Sequence, residues 1–392
     1  MTAPRDRGDA RSPARERLLS IDALRGLAVF LMMEQHMGVW LWNGGGGRSL
    51  AKVPALVAFN ALGGAAAPLF VTLAGVGTSL LVAKRTGQGR GGLTLDLVLL
   101  RRGIVIALCG LLLNVLTPSW FSLGSWFVLH VMGFAIACAP LWRRLSGAAL
   151  LALALATLAA TVAVQNALEI PPVYSNRFMA DATRPGGALR LALAEGQFPI
   201  FPWLAMYLSG LVVGRWILAG RRDRIWKLAL GTFSLGAALV TAYALGRNGV
   251  LPELAVDPWL RAVRIRLGFY PAHPPIILLL HTVVLVLIGL GLALERRVAL
   301  SEGNLMVCLG RASLTLLIVH VVVFRELFRW PHEGFWRFMD PWPPMNLWNA
   351  LSANAALAVI FGWTIASALA ARLWQRHGYR FGAEWALRKL GG

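Results

Sequence analysis

The sequence predicts an all-α, polytopic membrane protein with about ten transmembrane helices. Three observations carry that expectation. The chain is 57% hydrophobic and only 14% charged, with a mean hydropathy of +0.62, where soluble domains carry roughly 25% charged residues. Apolar runs recur along its whole length, each near the ~20 residues a spanning helix needs. Basic residues then gather at alternate connections between those runs, the pattern that marks cytoplasmic loops.

Taken in order, the runs lie near 18–42, 65–84, 102–117, 121–142, 147–168, 199–219, 226–246, 275–294, 303–328 and 346–372. The first keeps Asp22 and Arg25 inside an apolar stretch too long for a cleaved signal, so it reads as a retained helix. The third is short and can tilt or begin earlier. Arg5, Arg7, Arg11, Arg15 and Arg17 precede the first run, and Lys84, Arg85, Arg90, Arg101 and Arg102 separate the second from the third. Arg143 and Arg144 follow the fourth run, Arg221, Arg222, Arg224 and Lys227 the sixth, and Arg296 and Arg297 the eighth. Arg372, Arg376, Arg380, Arg388 and Lys389 close the chain. This alternation predicts a cell (inner) membrane protein with both termini cytoplasmic. It also accounts for the net charge of +20 without DNA or RNA as a partner.

Residues 1–17 read as a disordered basic tail, residues 18–376 as one transmembrane domain and residues 377–392 as a cytoplasmic C-terminal tail. The Gly run 44–47 lacks the Lys-Ser/Thr ending of a phosphate loop. Three long outward connections, 169–198, 247–274 and 329–345, hold Tyr174, Trp259, Tyr270, Trp330, Trp336 and Trp342 among prolines. They suit either a functional role or an interfacial aromatic belt. The cysteines, Cys109, Cys138 and Cys308, fall inside predicted helices and offer neither a disulfide framework nor a metal spacing.

The first run, "SIDALRGLAVFLMMEQHMG", keeps Asp22, Arg25, Glu34 and His36. An ionised side chain at mid-membrane costs roughly 2.5–3.5 kcal/mol, so such groups normally face protein or water. At about 100° per residue, Asp22, Arg25, Val29, Met32, His36 and Trp40 share about one quarter of the helix, with Glu34 nearly opposite His36. Arg25 and His36 are then about 16 Å apart along the axis. A long ligand with an anionic end at Arg25, steadied by Asp22, and a reactive end at His36 would fit the stripe. Coenzyme A, with phosphates, an extended arm and a terminal thioester, has that shape. The alternatives are a snorkelling Arg25 paired with Asp22 and an interhelical hydrogen bond at His36.

The stretch "RLLSIDALRGLAVFLMMEQH" resembles the opening of the heparan-α-glucosaminide N-acetyltransferase catalytic-domain family, whose bacterial members often read R-x-x-S-I-D-x-x-R-G. The spacing from Arg25 to His36 is also similar to that of bacterial integral-membrane O-acyltransferases, in one broader transmembrane acyltransferase superfamily. "APLFVTLAGVG" (67–77) resembles the family's second helix. "VLHVMGFA" (128–135), "FPIFPWLAMYLSGLVVGR" (198–215) and "LGRASLTLLIVH" (309–320) are weaker echoes in family order. The resemblance implies a membrane enzyme moving an acetyl group from cytoplasmic acetyl-CoA to a sugar amine or hydroxyl, or a similar acceptor. The sequence departs from the pattern at Gly63 and Gly64, where members often carry an ionisable residue. It departs again in 43–52, where the animal lysosomal members place a catalytic His.

On that reading His36 is the general base and His320 an oxyanion donor or second acceptor contact. Arg25, Asp22 and Arg311 bind the acyl-CoA donor, Trp40 and Trp203 line the acceptor cavity, and no metal is needed. His130 and His281 read as interhelical hydrogen-bonding residues. Membrane lipid is a partner, and a homodimer is compatible with the sequence. A transporter or lipid-handling protein using the polar stripe as a pathway, and a non-catalytic assembly subunit, are the competing classes.

Overall fold

The computed structural model describes residues 18–44, 62–170, 187–252, 270–341 and 346–392. The basic tail, most of the Gly run, and Tyr174, Trp259 and Trp342 lie outside the described residues. The fold is all-helical, and among the described residues the only β pairing is an isolated bridge between Trp42 and Leu351.

Chain order is α1 (Leu19–Leu41), α2 (Ala66–Gly87), α3 (Gly92–Leu116), α4 (Val128–Ala137), α5 (Gly147–Ala167), α6 (Ile200–Leu218), α7 (Asp223–Arg247), α8 (Pro274–Leu294), α9 (Leu305–Arg311), α10 (Ser313–Val321), α11 (Ala353–Gln375) and α12 (Ala383–Leu390). Each apolar run of the sequence coincides with a helix, and the short third run begins earlier, at Gly92. Among the described residues seven helices, α2, α3, α5, α6, α7, α8 and α11, are long and apolar enough to cross a membrane, or eight if α9 and α10 form one broken span bent by 78°, so the expected count of ten is not confirmed. The reasons are local. At 23 residues α1 is long enough, but Arg25, Glu34, Gln35 and His36 dilute its apolar character. The helix α4 stops after ten residues, and the ninth run breaks at Ala312, between α9 and α10.

Close backbone approach sets the centre of the bundle. A Cβ on Gly310 would lie 1.8 Å from the Asp22 carbonyl oxygen, and one on Gly26 would lie 1.9 Å from that of Met306. Only glycine at both crossings lets α9 rest on α1. That contact brings Arg311 to Asp22. In α6, Trp203 and Tyr207 are wholly buried and anchor the main core. The segment expected as a C-terminal tail holds α12. Glu384 there accepts from the backbone N–H groups of Leu314 (2.5 Å) and Thr315 (3.1 Å), capping the start of α10 with negative charge where the helix dipole favours it.

Candidate active site

The polar stripe of α1 is divided into two ends. At the first, buried Asp22 joins two arginines. Arg25 Nη1 lies 3.3 Å from Asp22 Oδ1 and Arg311 Nε 3.3 Å from Oδ2, while Arg311 Nη2 reaches Glu302 at 3.0 Å. Gly77 of α2 makes room for the Arg25 guanidinium, since a Cβ there would stand 2.6 Å from Nη2. The charges of Arg25, Arg85 and Arg388 all reach Arg102 on α3, so this end of the bundle concentrates positive potential.

At the other end, Met32, Gln35, His36, Val39 and Trp40 form one wall of a cavity of about 340 Å³. His36 is part-exposed there and its Nδ1 is 2.9 Å from His320 Nε2. The hydrogen-bond directions follow from the next link. His320 Nδ1 lies 2.8 Å from the Leu316 carbonyl oxygen, which can only accept. Nδ1 of His320 therefore carries its proton, and in the neutral ring Nε2 is an acceptor. His36 Nδ1–H donates to it, which leaves the lone pair of His36 on Nε2. Two imidazoles in series thus fix one tautomer of His36.

Aromatic side chains enclose the pair. His36 stacks on Trp40 with ring centres 5.1 Å apart and meets Trp120 edge-on at 5.2 Å. Trp40 in turn stacks on Trp348 at 6.2 Å. Arg325 completes the box. Its Cζ is 4.2 Å from the centre of Trp348, 5.8 Å from Trp120 and 6.0 Å from Trp40, and Nη2 donates to the Ser119 carbonyl at 2.6 Å. It stands on a π-helical turn, Val322–Leu327, an irregularity that recurs at functional sites. The neighbouring Glu326 is held by Ser119, whose N–H and Oγ–H donate to Oε1 at 3.2 and 2.7 Å.

Of the sequence-predicted residues, His36, His320 and Trp40 come together. Asp22, Arg25 and Arg311 form the separate ionic cluster. Trp203 does not line the cavity; it is wholly buried, 4.7 Å behind Phe198, which does. Nor is the stripe open along its length, because Val29 is sealed between the two ends. His281 hydrogen-bonds Ser209 of α6 at 2.7 Å and Thr72 of α2 at 3.4 Å, an interhelical tie. His130 instead caps its own helix, accepting from the Phe127 N–H at 3.2 Å. Sequence reasoning missed Arg325, Trp120, Trp348, Gln35 and Gln197. Arg325 carried a usable signal, a cation inside the apolar run "LIVHVVVFREL". Among the described residues no group of His, Cys, Asp or Glu side chains could hold a metal.

A helical membrane bundle that places a tautomer-fixed imidazole beside a cation among tryptophans, in the wall of a cavity, suits an integral-membrane group-transfer protein. A family model described as heparan-alpha-glucosaminide N-acetyltransferase, catalytic, matches residues 17–250, more than half of the 392 residues. The chain belongs to that family, which makes it a transmembrane acyltransferase. No curated protein matches the chain. The matched segment contains Arg25, His36, Trp40 and Trp120, whereas His320, Arg325 and Trp348 lie beyond it.

Proposed function

We propose that the protein transfers an acetyl or similar acyl group from cytoplasmic acyl-CoA to an amine or hydroxyl of a sugar or related acceptor, with His36 as the general base. The observation that carries this reading is the lone pair fixed on His36 Nε2 in the wall of the cavity. In the step, the acceptor nitrogen or oxygen forms a bond to the thioester carbonyl carbon while Nε2 takes its proton. The carbonyl π pair moves to oxygen, returns as the C–S bond breaks, and the departing thiolate recovers the proton from His36 as free coenzyme A. His320 positions the base and accepts its Nδ1–H throughout. Trp40 and Trp120 line the cavity beside the base.

The donor's phosphates would meet the arginine end, where Arg102 and Arg85 join Arg25 more directly than Arg311 does, since Arg311 is committed to two carboxylates. Along α1, Arg25 and His36 stand about 16 Å apart, a span that an extended pantetheine arm can bridge. Met32 and Phe70 line the cavity wall.

The test uses the full chain in lipid nanodiscs with acetyl-CoA and glucosamine. His36→Ala should lower transfer by about 10²–10⁴-fold, the usual yield of a positioned base, while acetyl-CoA binding by equilibrium dialysis persists. Wild-type turnover in that variant removes the assignment. Solute uptake that proceeds without coenzyme A would favour the transport reading instead.

A further inference from the structure

We propose that Arg325 is a second catalytic residue, the cation that stabilises the oxyanion formed when the acceptor attacks the thioester carbonyl. The inference rests on the acyl-transfer reading of the cavity and goes beyond it by naming the electrophilic partner of the base. The geometry leaves His320 unable to take that part. Its Nε2 accepts from His36 and its Nδ1–H is held by Leu316, so the neutral ring presents no donor to substrate.

Arg325 has what the role requires. It lines the same cavity as His36, and its charge acts on the imidazole. Trp40 and Trp120 touch both groups, so base and cation flank one space. A guanidinium stays protonated under all working conditions. It can therefore supply fixed positive charge while His36 alone gains and loses the proton. It is also oriented in advance. Trp348 supports one face, Ser119 holds Nη2, and the adjacent Glu326 carboxylate is engaged by Ser119 rather than aimed into the cavity. A charge already in place needs little reorganisation when the carbonyl oxygen turns negative, and preorganised groups of this kind act most strongly. Burying a cation among tryptophans is costly, and the reaction is what that cost serves.

Bond changes are those of the transfer step. The electron pair displaced onto the carbonyl oxygen sits beside the Arg325 guanidinium until it reforms the carbonyl and the thiolate leaves. Arg325 exchanges no proton.

The experiment compares Arg325→Gln, Arg325→Lys and Trp348→Leu with His36→Ala, all as full chains in nanodiscs, with acetyl-CoA and glucosamine. Arg325→Gln should lower kcat by about 10²–10³-fold, the loss on removing one oxyanion-hole donor, with the KM for acetyl-CoA and the melting temperature little changed. Arg325→Lys keeps the charge and should retain at least tenfold more activity than the Gln variant. Trp348→Leu frees the guanidinium and should give an intermediate kcat, a readout that survives if the Gln variant does not fold. Wild-type kcat in Arg325→Gln, equal losses in the Lys and Gln variants, or a loss confined to the acceptor KM would each overturn the assignment. The last result would make Arg325 a contact for an anionic acceptor. If His36→Ala is inactive while Arg325→Gln is not, only this inference fails; if both transfer acetyl at the wild-type rate, the assignment of His36 as base falls with it, and if the wild-type chain itself transfers none, the acyl-transfer reading falls.

Discussion

Replacing His320 by Ala isolates the step from a histidine to a histidine with one tautomer. In the native arrangement His36 Nδ1–H donates to His320 Nε2 over 2.9 Å. Truncation leaves that donor without its acceptor in a buried, apolar setting, at a cost of about 1–3 kcal/mol. His36 can escape part of the penalty by moving its proton to Nε2, the atom needed as base. At about 1.4 kcal/mol per tenfold in rate, kcat should fall about 5- to 150-fold. That loss is smaller than the one expected for His36→Ala, and the two should not add, because the residues act as a unit. Release of free thiol from acetyl-CoA in the presence of glucosamine gives the rate, and binding of acetyl-CoA should be unchanged. His320→Gln, whose amide oxygen can accept, should recover much of the activity. Full turnover in His320→Ala, or a double variant whose losses multiply, would refute the reasoning.

Arg102→Ala should weaken acetyl-CoA binding about five- to tenfold, as for one charge-assisted contact of ~1–1.5 kcal/mol, and the difference should shrink in high salt; calorimetry at two ionic strengths reads both. Gly310→Ala drives a methyl against the Asp22 carbonyl, 1.8 Å from the ideal Cβ, and should cost about 1–3 kcal/mol, seen as a lower melting temperature in detergent. Glu384→Ala removes the carboxylate on the start of α10 and should destabilise by about 1–2 kcal/mol, with faster hydrogen exchange at Leu314 and Thr315. In the loop after α10, the backbone N–H of His332 and then its ring hold the Asp340 carboxyl below its ordinary value of 3.8. A depressed carboxyl contributes stability above its unfolded-state value and loses it as the pH falls through its folded-state value. Acid should therefore loosen this loop, and Asp340→Asn should abolish that acid dependence in hydrogen exchange.

Helix positions were legible because a membrane demands long apolar runs, and that demand is local in sequence. His36 was legible for a related reason: a polar stripe on one helix can be read from a single periodicity. What surrounds His36 was not, since Trp120, His320, Arg325 and Trp348 come from separate elements and meet only through packing. Arg325 could have been singled out by the argument applied to α1, because its cost in an apolar run is the same. The break at Ala312 left no proline to announce it. The stripe is interrupted because Val29, apolar and β-branched, is also a good packing residue. Trp203 shows the opposite error: a large aromatic beside prolines fills the core of α6 rather than facing a ligand.

The outer end of α1 is sewn to the segment before α11: Asn349 N–H donates to the Trp40 carbonyl at 2.7 Å, Leu351 N–H to that of Leu41 at 2.9 Å, and Asn43 N–H to that of Leu351 at 2.8 Å. Two stretches some three hundred residues apart in sequence therefore share a short ladder, and Trp348 is carried to Trp40 by main-chain bonds that no side-chain substitution erases. A fragment ending where the family match ends, at residue 250, would keep His36 but lose His320, Arg325 and Trp348. Complementation of two separately expressed halves, rather than truncation, is how this enzyme could be divided and still work.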